Sequence, residues 1–163
     1  MKKTLRSILF CFLCVTALSF HSRAQITERY QAISAYIFNF AKNVTWENEE
    51  SIDEFHFHVI GEDKNIITEL NRLSQTKTIR EKSITISSSK TLKEKDIANA
   101  HLIYVTQKHK DIIGTIHKKI EGKNILLVSD GCEDKDVIMI NFYDSKEGTL
   151  NFEINKNNMA RHY

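Results

Sequence analysis

The sequence has 163 residues, 27% of them charged and 41% hydrophobic, with no proline and a formal net charge of +2. That length and balance predict one domain with a genuine core and exclude a repeat array or a low-complexity chain. No basic block stands out of the kind that would recommend nucleic acid as a partner.

The N-terminus reads as a targeting segment. Met1-Lys-Lys-Thr-Leu-Arg6 is basic, Ile8 to Leu18 is apolar except for Thr16, and Ser22-Arg-Ala24 puts small residues at −3 and −1 before Gln25. This is the grammar of a secretory signal peptide, and the apolar stretch falls well short of the about 20 residues that a membrane span needs. The expectation is cleavage after Ala24 (residues 1–24 a signal peptide, 25–163 one domain) and a periplasmic product. Loss of Lys2, Lys3, Arg6 and Arg23 leaves 19 of 23 basic residues against 21 acidic ones, a net −2. Cys11 and Cys14 sit in no lipoprotein cleavage context, and after cleavage only Cys132 remains. A single thiol forms no internal disulfide, and beside a strand it reads as a small buried apolar residue, with pairing to another chain as the alternative.

From there the elements follow in order. Tyr30, Ile33, Tyr36, Ile37, Phe40, Ala41 and Val44 recur at helical spacing and predict a helix over 28–44, with Thr27 as its N-cap and Phe38 and Asn39 off the stripe. Within it, Tyr36, Phe40 and the following Trp46 read as core anchors, with Asn39 and Lys42 at the polar edge. Phe55 to Ile60 alternates as a strand closed by Gly61, followed by a helix at 64–73, a strand at 83–87, a short helix at 93–98 and an apolar strand at 101–105. A helix over 111–120 ends at Gly122, a buried strand follows at 124–128, and 137–143 with 149–154 forms a hairpin around Lys146-Glu-Gly148. Strands alternating with helices give an α/β fold: a mostly parallel sheet flanked by helices on both faces, with a C-terminal antiparallel hairpin at the edge.

Catalytic signatures are missing from the sequence. Its five glycines are isolated, so no phosphate loop or dinucleotide fingerprint is drawn, and there is no Gly-x-Ser-x-Gly elbow. His56, His58 and His101 are of a residue type that binds zinc, but no cysteine or carboxylate completes a ligand spacing, so His56 and His58 read as the polar face opposite Phe55, Phe57 and Val59. Asp130, Glu133, Asp134 and Asp136 lack EF-hand spacing and read as a solvated acidic turn. Neither cofactor nor metal is expected, and no enzymatic activity.

"AYIFNFAKNVTW" near the mature N-terminus and "IMINFYDSKEGTLNFEIN" near the C-terminus resemble the YfiR family. "FHFHVIGED", "ANAHLIYVTQ" and "ILLVSDG" match its intervening strands in order and spacing, so the resemblance spans about residues 28–161. It implies a non-enzymatic periplasmic regulator that binds the periplasmic domain of an inner-membrane signalling protein, a diguanylate cyclase or sensor kinase, in cyclic-di-GMP signalling. The expected partner contacts are Phe38, Asn39, Lys42, Asn155 and Arg161, with homo-oligomerisation also considered. A periplasmic small-ligand-binding domain is the alternative, its site at the carboxyl ends of the strands: Gly61-Glu-Asp63, Thr106-Gln107 and Ser129-Asp130. Three departures from the family pattern matter. Glu47 follows Trp46 where proline is usual, one mature cysteine cannot reproduce the family's redox handle, and the chain stops at Tyr163 where a closing helix is expected. The last departure predicts exposed apolar surface, with Leu127 and Ile140 as candidates.

Overall fold

The computed structural model describes residues 25–160. Residues 1–24, expected from the sequence to be a signal peptide, and Arg161 lie outside the described residues.

Helix α1 covers residues 25–43. Thr27 lies within it and is not its N-cap, because neither Gln25 nor Ile26 breaks a helix. Ile33, Ile37, Ala41 and Val44 are buried as the stripe predicts. The helix ends where the Trp46 indole N–H donates to the carbonyl of Ala41 at 3.0 Å, satisfying one of the acceptors that a helix C-terminus leaves open.

Beyond it come β1 (Glu54–Ile60), α2 (Lys64–Ser74), β2 (Ser83–Ser89), α3 (Glu94–Ala98), β3 (Leu102–Val105), a 3-10 turn (Gln107–Ile112), α4 (Ile113–Ile120), β4 (Leu126–Asp130), β5 (Ile140–Asp144), β6 (Leu150–Ile154) and α5 (Lys156–Ala160). The strands form one sheet in the order β2-β1-β3-β4-β5-β6, parallel except for the β5–β6 pair. The α/β expectation and its edge hairpin are both met. β5 starts at Ile140, later than its apolar run suggests. The preceding carbonyls are already engaged: Asn158 Nδ2 donates to those of Asp136 and Ile138, and the Asn155 N–H donates to that of Met139.

The pairing register assigns side chains to faces. Phe55, Phe57, Val59, Leu102, Tyr104, Leu126, Val128, Ile140 and Phe142 share one face, with α1 packed on it through Tyr36 and Phe40 against Phe142. His56, His58, Ile103, Leu127, Ser129 and Asn141 share the other, where Asp96 of α3 approaches His58. Right-handed crossovers then place α2 beside α1 and α4 beside α3, so helices cover both faces.

His58 lies on the face opposite Phe57 and Val59, as expected, and is buried there with its Nδ1 and Nε2 within 2.7 and 2.8 Å of the Ser87 and Ser89 hydroxyls. One expectation changes: Leu127 and Ile140 are buried, since both belong to strands inside the sheet with neighbours on either side.

Trp46 is 3% exposed and tilts against Phe55 with ring centroids 5.6 Å apart. Trp46→Ala should therefore destabilise the domain by about 3–5 kcal/mol in chemical denaturation. An unchanged midpoint would mean that the indole supports nothing in the core. Burial lowers the pKa of His58, with Asp96 only partly opposing it, and burial with His56 nearby lowers that of His101. A depressed histidine pKa means that the unfolded chain binds protons more readily. Stability should accordingly be complete above about pH 6.5 and fall as the pH drops below it. His58→Gln should flatten the dependence of Tm on pH between neutral and mildly acidic buffer.

Candidate functional site

The carboxyl ends of the parallel strands, where sheets of this kind hold ligands, are crossed by the first turns of α1. Arg29 grips Asp130 at the end of β4 with both terminal guanidinium nitrogens, Nη2 to Oδ1 at 2.9 Å and Nη1 to Oδ2 at 3.0 Å. Its Nε donates to both oxygens of Asp144 at the end of β5, at 3.2 and 3.1 Å. The Tyr104 hydroxyl donates to Asp130 from β3 at 3.3 Å, and the next residue of α1, Tyr30, donates to Asp63 at 2.6 Å. Burial alone would lower the Arg29 pKa, but the bonds and charges of Asp130 and Asp144 outweigh it and hold the guanidinium charged. Burial, then Asp63, raises the Tyr30 pKa, keeping the phenol a donor. Asp63 also caps α2 by accepting from the Asn65 N–H at 2.9 Å.

Asp130 is therefore no part of a solvated turn; it is the buried counter-ion of α1. Glu133, Asp134 and Asp136 are exposed. Nor is Cys132 reactive in setting: it is buried, and burial raises its thiol pKa. The turn around it is folded back by Asn141, whose Oδ1 accepts from the Cys132 N–H at 3.0 Å and from Ser129 at 2.9 Å, while its Nδ2 donates to the Cys132 carbonyl at 2.9 Å. Among the described residues no group of three or more His, Cys, Asp or Glu is placed to hold a metal ion.

Gly61, at the end of β1, adopts φ +113°, and a Cβ there would lie 2.2 Å from Thr106 Oγ1. With Thr106 bonded to His109 Nδ1 at 3.0 Å, the crevice between β1 and β3 narrows to a cavity of about 210 Å³ beside Lys90 and Lys108. The carboxyl-end site of the ligand-binding alternative thus has its own side chains across much of it.

An apolar surface lies instead at the β6 end of the sheet. Phe152 and Ile154 are 39% and 45% exposed, and Tyr36 of α1, at 39%, meets Phe152 with centroids 5.2 Å apart. Tyr36 is thus not the core anchor that its spacing suggests. Phe40 lies beneath it, partly buried, stacked on Tyr36 and edge-on to Phe152. No further strand covers β6 among the described residues.

The expected contact residues fall in two groups. Asn39 and Lys42 are exposed on α1, and Phe38 is partly buried against the core, on the opposite flank of the helix from Tyr36 and Phe40. Asn155 lies apart, at the junction of β6 and α5, where its Oδ1 accepts from the N–H groups of Asn157 and Asn158 and its Nδ2 donates to the Lys135 carbonyl. Arg161 falls beyond the described residues. Sequence reasoning missed Arg29 and Phe152. The sequence signals for them were faint: Arg29 is one charge in a polar first turn, and Phe152 alternates like any strand residue.

These features define an open α/β sheet with a closed carboxyl end and an apolar strand at one edge. The chain belongs to the YfiR/HmsC-like family, whose model matches residues 30–163. That is a regulatory, non-catalytic family of periplasmic proteins that act on partner proteins, associated with cyclic-di-GMP signalling. No curated protein matches the sequence. Among the described residues no helix is long and apolar enough to cross a membrane.

Arg29→Ala strands the Asp130 carboxylate without its ion-pair partner. The expected loss is about 3 kcal/mol in denaturant, at the low end for a broken buried pair because Arg29 itself is 22% exposed. Adding Asp130→Leu to an Arg29→Met variant should recover much of that loss, since the carboxylate left without a partner is then only the exposed Asp144. An unchanged midpoint in Arg29→Ala would show that α1 is held by its apolar stripe alone.

Proposed function

We propose that this chain is a non-enzymatic periplasmic regulator that binds the periplasmic domain of an inner-membrane signalling protein, a diguanylate cyclase or sensor kinase. Family membership supports the class, and the exposed apolar edge formed by Tyr36, Phe152 and Ile154 is the observation that carries the contact. Large aromatics that stay partly exposed beside an uncovered strand are the residue types that anchor protein interfaces. Edge strands of this kind also accept a partner strand by main-chain pairing.

The proposed surface runs from β6 onto the outer face of α1. Asn39 lies three residues beyond Tyr36 and three before Lys42, so all three are neighbours along the helix. Phe38 borders Lys42 from the far flank, Asn155 closes the strand end, and Arg161 is assigned to the same contact. Lys135 and Glu153 pair beside the strand and supply a polar rim.

Site-specific photocrosslinking from position 152 in cells is expected to trap an inner-membrane protein with a periplasmic domain. Phe152→Glu should weaken partner binding by about 2 kcal/mol or more, as truncation of an interface anchor does, while leaving the fold intact. Recovery of soluble or outer-membrane proteins alone, or of a second copy of this chain alone, would overturn the reading.

A further inference from the structure

A second cleft lies away from the carboxyl ends of the strands. It lies at their amino ends, below β1, β3 and β4, with a volume of about 660 Å³. Its walls are the turn after α1, the segment that joins α3 to β3, and the residues leading into β4. That volume suits a small organic ligand.

Its chemistry is acidic and flat. Glu47, Asp53 and Glu54 line it against one cation, Lys123. Glu54 is already engaged, by Thr85 and by His56, whereas Glu47 and Asp53 are exposed and make no hydrogen bond or ion pair among the described residues. His56 and His101 also line the cleft, their rings nearly parallel at 12° with centroids 6.0 Å apart. His101 Nδ1 accepts the His56 backbone N–H at 3.0 Å, which fixes the neutral tautomer with its proton on Nε2. Burial, then His56, lowers the His101 pKa, so that ring adds no positive charge near neutral pH. Asn124, another lining residue, keeps a buried Oδ1 without a donor among the described residues. The near-parallel imidazoles give aromatic surface, and the two unengaged carboxylates give charge.

We infer that this cleft is an effector site for a small organic cation, an ammonium or guanidinium group carried on a short apolar or planar body. Carboxylates hold the charged head through charge-assisted hydrogen bonds, and the imidazole rings pack against the body. The site is distinct from the proposed partner surface, since β5 and part of β4 separate the cleft from β6.

Trp46 provides the readout. It is the only tryptophan in the chain and stands edge-on to His101 with centroids 5.9 Å apart. The protein purified from the periplasm is titrated with agmatine and with spermidine, using calorimetry and Trp46 fluorescence, with citrate and zinc ion as comparisons. At least one of the two amines is expected to bind saturably and shift the emission, and citrate is expected not to bind. Glu47→Gln with Asp53→Asn should weaken amine binding about tenfold or more, the worth of a lost charge-assisted contact, with Tm unchanged. Binding of citrate or zinc in place of both amines, no binding by either amine, or amine affinity unaltered in the double variant would overturn the inference. Because the titration involves no partner, its failure leaves crosslinking through position 152 untouched, and the converse also holds.

Discussion

The contact between Arg29 and Asp130 decides how this sheet is used. Both groups are largely withdrawn from water, and a guanidinium that meets a carboxylate through two parallel bonds is among the strongest pairings available to side chains. Asp144 and Tyr104 complete the set, so the charge is shared among α1, β3, β4 and β5. The direction of α1 follows. Its first turns lie over the carboxyl ends of the strands and its last residues reach their amino ends, where Trp46 meets Phe55 and His101. An apolar stripe alone would let the helix slide along the face, whereas a bidentate ion pair fixes its position along the strands.

Fixing α1 there has two consequences. The end of the sheet that usually receives ligands is crossed by Arg29 and Tyr30, and the remaining crevice is tightened by Gly61 lying against Thr106. At the same time α1 brings Tyr36 and Phe40 over Phe142 but stops short of covering Phe152, so the last strand keeps apolar surface in contact with solvent. One helix therefore closes one candidate site and helps to build another.

Much of the architecture was legible because the determinants are local and periodic. The α1 stripe, the apolar runs of β3 and β4 and the Lys146–Gly148 turn each declare themselves within a few residues. Contacts distant in sequence were not legible. Asp130 reads as one of four carboxylates in an acidic turn, and only the fold shows that it faces Arg29, 101 positions earlier. His58 reads as polar-face decoration until β2 supplies Ser87 and Ser89. Tyr36 sits on the helical stripe yet stays exposed, since the stripe is wider than the sheet edge beneath it. The expectation of uncovered apolar surface named Leu127 and Ile140, both interior to the sheet, and no local pattern pointed to β6.

The two edges of the sheet differ in kind. β2, at one end, is largely hydroxyl-bearing (Ser83, Thr85, Ser87, Ser88, Ser89), whereas β6, at the other, is flanked by aromatic and aliphatic side chains. Such a molecule has one adhesive end. If two copies joined, β6 of one against β6 of the other about a two-fold axis, both outer ends of the merged sheet would be the serine-rich kind, and growth would stop there. Asymmetry between the edges thus makes the pair a closed assembly, and it protects a protein with an exposed apolar strand from running on into a fibre.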